Sequence, residues 1–345
     1  MHFELILPGL SWLAAGPGTH PARGLSLPAL DTLLGLGSSQ WSAPRNADAL
    51  VGEAIGLADG VSHAMLRRQG EAGPRPPSGA HWLCCDPVHL HFSRDTLLLA
   101  DASGLAITRD EADTLIAGLN DNFSDIGHFE APAPERWYIR LAEAPRPRFH
   151  PLADVNGRPV QLFLPEGEDL RRWVRLSNEI EVWLYGHPVN TVRAEAGLRS
   201  INGVWLWGGG EAEATCAPRV QAVQAEQPFV RGLARLAGIE PSSISGYAHP
   251  AGNALAVVDS LQRPALHHDR EAWVNALRNL ESNWFAPLLA DLKARRLQGI
   301  RIRVPDDRHL LQVDVAPPGL WKFWRKPRSL DALLATAPHT TATPP

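Results

Sequence analysis

Short apolar runs alternating with amphipathic helical patterns restrict this 345-residue chain to an α/β architecture around a mainly parallel sheet. Strand-like runs fall at Phe3–Leu7, His81–Cys85, Thr96–Ala100, Trp137–Leu141, Val160–Leu164, Val204–Trp207, Ala254–Val258, Ile300–Val304 and Leu310–Val315. The helices between them have readable ends. Thr108-Arg-Asp-Glu111 is a capping box, in which the Thr hydroxyl and Glu carboxylate satisfy first-turn amides, and Ala112, Leu115, Ile116 and Leu119 follow as a core-facing stripe. Leu170 to Leu184 carries the same spacing, with Gly186 placed to stop it. Pro228 suits the first position of a helix over 229–237 that Gly238 closes. The longest pattern starts at Asp269, an N-cap. Trp273, Leu277, Leu280, Trp284, Leu288 and Leu292 share one side of it. Pro287 should kink or split this helix, Arg295 and Arg296 favour its C-terminal dipole, and Gly299 should end it.

A hydrophobic fraction of 44% supports a large core, and a net charge of −4 gives no basic footprint for nucleic acid. Cys84, Cys85 and Cys216 lack metal-ligand spacing and read as free thiols of a reducing compartment. The segment Met1 to Gly9 has no basic start, and no apolar run approaches the roughly 20 residues of a membrane span, so a soluble cytoplasmic protein is expected. The stretch Gly70 to Gly79 reads as an exposed connector and 336–345 as a disordered tail.

The most distinctive block is His187-Pro-Val-Asn190-Thr-Val-Arg193, followed by Ser200-Ile-Asn202-Gly-Val-Trp205-Leu-Trp207-Gly208-Gly209-Gly210. A short helix places Asn190 and Arg193 on one face, and an aromatic strand runs into three glycines. Asn190, Arg193 and Asn202 could hold an anionic ligand, because guanidinium forks onto carboxylate or phosphate, with Gly208 and Gly209 adding backbone amides. Equally, Arg193 could pair with Glu195 or Glu179, and the glycines could form a tight turn.

This block resembles the Asn-x-x-Arg … Ala-Asn-x-Ile-Trp-x-Trp-Gly-x-Gly stretch of the archaeal-type, cofactor-independent phosphoglycerate mutases. Leu27-Pro-Ala-Leu-Asp31, the segment Leu99 to Ala112 and Phe229 to Gly238 are similar to further segments of those enzymes in the same order. A bacterial branch, the RpfE-like regulatory proteins, resembles the chain at Trp82 to Leu90, Asn178-Glu-Ile180, Leu280-Glu-x-x-Trp284-x-x-Pro287 and Trp321-x-Phe323-Trp324-Arg325. The resemblance implies an alkaline-phosphatase-like core over 1–80 and 200–335 with an inserted α+β domain over 81–199.

It also implies a chemistry that can be tested residue by residue. Two-metal phosphoryl transfer needs a Ser or Thr nucleophile beside two cations, held by several Asp and His side chains. Where the mutases end their first strand in Asp-Gly-x-x-Asp, this chain has Pro8-Gly9-Leu10-Ser11-Trp12, and proline offers no side-chain ligand. Where a nucleophile should follow the first helix, Gly37-Ser38-Ser39-Gln40-Trp41-Ser42 lacks the accompanying Asp and His. Ser42, and less so Ser38 and Ser39, are nucleophile candidates or simple loop residues. His267-His268-Asp269 lacks the downstream ligand spacing, whereas Asp306, Asp307 and His309 follow a strand and are candidate metal ligands or an exposed turn. Asp86 and His89 could form an acid/base pair or a structural turn.

The expectation is therefore a catalytically degenerate phosphoglycerate-mutase-like protein, regulatory or ligand-sensing, with no cofactor and a small anionic ligand or a regulatory protein as partner. The alternative is an active mutase or phosphatase with relocated ligands and a pair of Mn or Zn ions. A third reading makes the Trp321 to Lys326 segment a docking anchor.

Overall fold

A computed structural model describes residues 1–12, 20–58, 60–77, 79–213, 215–317 and 326–338. The chain divides into two compact units, Met1–Leu57 with Cys216–Pro345, and Ala58–Thr215. The first unit opens with β1 (His2–Ile6), α1 (Pro28–Leu36), β2 (Ser38–Ser42) and α2 (Ala47–Ile55). The second contains α3 (His63–Gly70), β3 (His81–Ser93), β4 (Thr96–Ala100), α4 (Arg109–Asn122), β5 (His128–Ala133), β6 (Arg136–Leu141), α5 (Leu152–Val155), α6 (Leu170–Tyr185), α7 (Pro188–Glu195) and β7 (Gly203–Trp207). The chain returns to the first unit with β8 (Ala222–Ala225), α8 (Pro228–Leu236), β9 (Ala254–Val257) and α9 (Gln262–Leu266). It closes with α10 (Arg270–Leu280), α11 (Ala286–Lys293), β10 (Gly299–Pro305), β11 (Leu310–Val315) and α12 (Leu330–Leu334).

The first unit is a six-stranded sheet in the order β2-β11-β10-β1-β9-β8. Strands β10, β1, β9 and β8 are parallel; β11 pairs antiparallel with both β10 and β2, so β11 alone runs against the others. Phe3, Leu5, Ala256, Ile302 and Val313 bury one face of the sheet against Leu30 and Leu33 of α1, Trp273 and Leu277 of α10, Leu288 of α11 and Leu333 of α12. Fully burying such a side chain stabilises by about 1.5–3 kcal/mol, so this stripe sets where the helices lie. On the opposite face, Glu53 of α2 reaches Arg303 of β10.

The second unit is organised by β3, thirteen residues long. It pairs antiparallel with β6 over His81–Cys84, with β7 over Cys84–Val88 and with β4 over His89–Ser93. Leu115 and Leu119 of α4 and Trp173, Ile180 and Leu184 of α6 join Trp137, Ile139 and Leu206 in its core.

The capping box at Thr108 and Glu111, the stop at Gly186 and the Asp269 N-cap form as expected. Pro287 does divide the longest helix. A five-residue π turn, Glu281–Phe285, separates α10 from α11 just before the proline, whose ring and missing N–H an uninterrupted α-helix could not accommodate. The helix ends earlier than expected, at Lys293, with Arg295 in the left-handed region at φ 57°; Gly299 instead starts β10.

Other expectations are corrected. β7 pairs with β3, so the divisions fall at 57/58 and 215/216, outside the expected 80/81 and 199/200. Val160–Phe163 is a 3-10 turn and no strand, since Pro159 and Pro165 flank it and remove ladder donors. β2 has Trp41 as its one large apolar residue, β5 is interrupted by Pro132 and β8 is only four residues long, so none of them stood out. Residues 318–325, with Trp321, Phe323, Trp324 and Arg325, and residues 339–345 of the tail lie outside the described residues. Thr336, at the start of that tail, donates to Leu333 O at 2.6 Å. Among the described residues no helix is long and apolar enough to cross a membrane.

Candidate functional site

Parallel α/β sheets place ligands beyond the carboxyl ends of their strands. In the first unit the loop leaving β1 at that end turns through Gly9 at φ 82°. A Cβ on Gly9 would lie 2.6 Å from Gln262 Cα and Leu261 O, so two backbones are in close contact here. Trp273 Nε1 donates to Gly9 O at 2.8 Å, and the Trp12 ring stands edge-on to Trp273 and to His268 at centroid distances of 5.5 and 6.0 Å. The position after β1 is thus packed by glycine and aromatic rings, and Pro8 supplies no ligand.

Ser38, Ser39 and Ser42 are exposed residues of β2, an edge strand paired with β11. Ser42 lies opposite Leu310 and so shares a corner of the sheet with the β10–β11 turn. In that turn Asp306 accepts the amides of Arg308 and His309 at 2.7 and 3.1 Å, a turn-forming use of the carboxylate. Asp307 is exposed, and His309 packs edge-on to Trp41 at 5.8 Å. Among the described residues no three His, Cys, Asp or Glu side chains converge as a metal site, so the expected alternative set Asp306, Asp307 and His309 does not form one.

In the second unit Asp86 and His89 stand three residues apart on β3 and therefore point to opposite faces. They do not form an acid/base pair. Asp86, 2% exposed, accepts both arms of Arg67 at 2.6 and 3.0 Å, the Trp207 indole at 2.9 Å and the Trp137 amide at 3.2 Å. His89 donates from Nδ1 to Ser200 O at 2.9 Å, and its ring stacks on His91. Next to Asp86, burial pushes the Cys84 thiol up to about 12, and Cys85 rises with it, so neither is a thiolate nucleophile.

The anion-binding expectation for the Asn190–Gly210 block is corrected in the same way. Asn190 donates to Leu184 O and Ile201 O and accepts from Ile201 N, each at 2.8 Å, tying the end of α6 to the chain before β7. Arg193 is buried. It bonds Glu111 at 2.9 Å, the Arg199 carbonyl at 2.8 Å and the Leu105 carbonyl, so its partner is neither Glu195 nor Glu179. Asn202 exchanges two bonds with the Leu90 backbone, at 2.7 and 2.8 Å, and extends the β3–β7 ladder. Gly208 O accepts from Ala64 N and Ser62 Oγ, and a Cβ on Gly209 would meet Leu83 at 2.9 Å. The glycines form a close-packed turn.

The sequence reading missed a cavity of about 560 Å³ on the first unit's sheet, towards the amino ends of β1 and β10. Arg301 and Arg303 face it two residues apart on β10, with Glu4 opposite Arg301 in register. The alternation Arg-Ile-Arg within a strand was the available signal, because period two puts both arginines on one face. Arg303 pairs with Glu4 and Glu53, each at 3.3 Å, and Arg301 with Asp314 at 2.7 Å. Burial pushes the Glu4 carboxyl up against the pull of Arg303 and Arg301. Three arginines (Arg219 included) and three carboxylates line the space, so its charges balance and favour no anion. A second missed cluster joins Tyr247, His249 and Arg296 to Asp291 at 2.6, 2.6 and 2.7 Å, which saturates that carboxylate.

Fold and site together define a mixed α/β protein with a mainly parallel sheet, in which the places expected of phosphoryl-transfer residues hold structural contacts. Over part of its sequence it is similar to phosphoglycerate mutases. It is 31% identical over 101 residues to a probable 2,3-bisphosphoglycerate-independent phosphoglycerate mutase of Geobacter sulfurreducens, covering 28% of this chain and 25% of that protein. With a 2,3-bisphosphoglycerate-independent phosphoglycerate mutase of Methanothrix thermoacetophila it shares 30% identity over 132 residues, 34% of this chain and 33% of the other. The aligned stretches thus span a third or less of these two relatives. The fold matches that of the PH0037 protein from Pyrococcus horikoshii with a TM-score of 0.52 at 12% identity, over 91% of this chain and 87% of that one. No protein-family model matches the chain.

Proposed function

We propose that this chain is a catalytically degenerate relative of the cofactor-independent phosphoglycerate mutases, with a regulatory or ligand-sensing role in the cytoplasm. The observation that carries the reading is the packed carboxyl end of β1. Pro8 and the Gly9–Gln262 contact occupy the position where two-metal phosphoryl transfer calls for a carboxylate ligand.

A manganese or zinc pair does not fit the residues present. Asp306 is committed to the backbone of its own turn, Asp86 is saturated by Arg67 and two N–H donors, and no cluster of three ligating side chains lies among the described residues. A nucleophile also needs an adjacent base or metal to lower its pKa, and Ser42 lies on an exposed edge strand.

The test is turnover. Purified full-length protein with added Mn²⁺ is expected to leave 2- and 3-phosphoglycerate and p-nitrophenyl phosphate unconverted above the uncatalysed background. Interconversion or hydrolysis that disappears in Ser42→Ala or His309→Ala would overturn the reading in favour of a working enzyme.

A further inference from the structure

The second unit contains a smaller cavity of about 220 Å³ with a different character. Its walls are Trp205 on β7, Leu90 on β3, Phe149 before α5, Phe163 in the 3-10 turn, and one stripe of α6 that carries Val174, Asn178 and Glu181. The spacing 174, 178, 181 puts these three on a single helix face. Aromatic and aliphatic walls with few polar groups are the usual composition of a small-molecule site, and the volume lies below the roughly 300–1,000 Å³ of drug-sized pockets. At about 30 Å³ per water it holds on the order of seven water-sized groups, the size of one substituted ring.

Glu181 is the odd member of this wall. No lysine or arginine is among the described residues lining the cavity, and no described residue hydrogen-bonds or ion-pairs with its carboxylate. Burial alone, with no opposing charge, raises its pKa. Arg158 is engaged over the Phe163 ring at 4.6 Å, and His150, which lines the cavity, lies beside Glu166 at 3.3 Å. An apolar ligand entering here would strip the remaining water from Glu181 and leave a carboxylate uncompensated. A ligand with a positive charge would remove that penalty, and the faces of Trp205 and Phe149 attract cations as well.

We propose that this cavity binds a small apolar amine, its ammonium group paired with Glu181 and its hydrocarbon body set between Trp205, Phe149 and Phe163. The Asn178 side-chain carbonyl on the same helix face offers an acceptor for a second ammonium N–H. The site does not depend on the mutase likeness and stands whether or not the chain turns over phosphate esters.

The experiment is calorimetric titration of the full chain with cyclohexylamine, cyclohexanol and cyclohexanecarboxylate, three probes with one ring and charges of +1, 0 and −1. The amine should bind about ten- to a hundredfold more tightly than the alcohol, the range of a hydrogen bond to a charged partner, and the carboxylate should not bind. Glu181→Gln keeps the side-chain shape and should erase the amine's advantage, with circular dichroism verifying the fold. Val174→Phe, which fills the space, should abolish amine binding. Equal binding of the three probes, no amine binding, or amine binding unchanged in either variant would overturn the proposal.

Discussion

The guanidinium of Arg193 donates to both oxygens of Glu111 at 2.9 Å, and the same Glu111 carboxylate accepts the Thr108 amide at 2.8 Å to cap α4. Two sequence features that pointed to separate roles, a capping box and a candidate anion-binding arginine, are one structural assembly. The arginine is the internal counter-ion of a helix cap.

Arg193→Ala should therefore destabilise the protein by about 3–5 kcal/mol, the cost of breaking a buried ion pair from one side. Arg193→Lys keeps the charge but loses the bonds to the Arg199 and Leu105 carbonyls, and should cost about 1–3 kcal/mol. Urea denaturation measures both. A near-neutral Arg193→Ala would return the residue to the list of ligand groups.

Asp86 and His89 should separate in the same assay. Asp86→Asn leaves the buried Arg67 uncompensated and is expected to cost about 3–5 kcal/mol. His89→Ala removes one partly exposed bond to Ser200 O and should cost about 0.5–1.5 kcal/mol. Similar losses for the two would contradict their placement on opposite faces of β3.

Much of this fold was legible because local rules and tertiary contacts agree. The Thr108 box, Pro228 at a helix start and Pro287 at a break are backbone chemistry, and each acts where it stands. The edge strand β2 was not legible, since Ser-Ser-Gln-Trp-Ser is extended only by pairing with β11. The domain boundary depended on the β3–β7 ladder, a contact between residues far apart in sequence. The site residues were read as chemical types, whereas their roles are set by partners such as Arg67 and Glu111 that nothing in their spacing announces.

Gly9→Ala and Gly238→Ala form a matched pair of left-handed glycines, at φ 82° and 75°. A Cβ at 238 meets open space, so only the conformational cost of about 1–2 kcal/mol applies. At position 9 the Cβ would also meet backbone at 2.6 Å. Gly9→Ala should lose distinctly more in melting temperature, and equal losses would argue that the loop after β1 is not packed on 261–262.

Glu71 predicts part of the acid response. Burial would raise its carboxyl, but bonds from Arg136 at 2.7 and 3.0 Å and from the Tyr138 hydroxyl at 2.7 Å outweigh it and hold the pKa below the ordinary value. A depressed folded-state pKa contributes stability that is fully present above the unfolded value of about 4.3 and is lost as pH falls through the folded one. Between pH 5 and pH 3, wild type should lose more stability than Glu71→Gln; parallel curves would remove Glu71 from the account.

The central claim concerns the carboxyl end of β1, and metal content tests it most directly. After incubation with Mn²⁺ and Zn²⁺ and desalting, elemental analysis of the full-length protein by mass spectrometry should find metal far below one ion per chain. Retention of close to two ions per chain would contradict the claim and place a working phosphoryl-transfer centre in this scaffold.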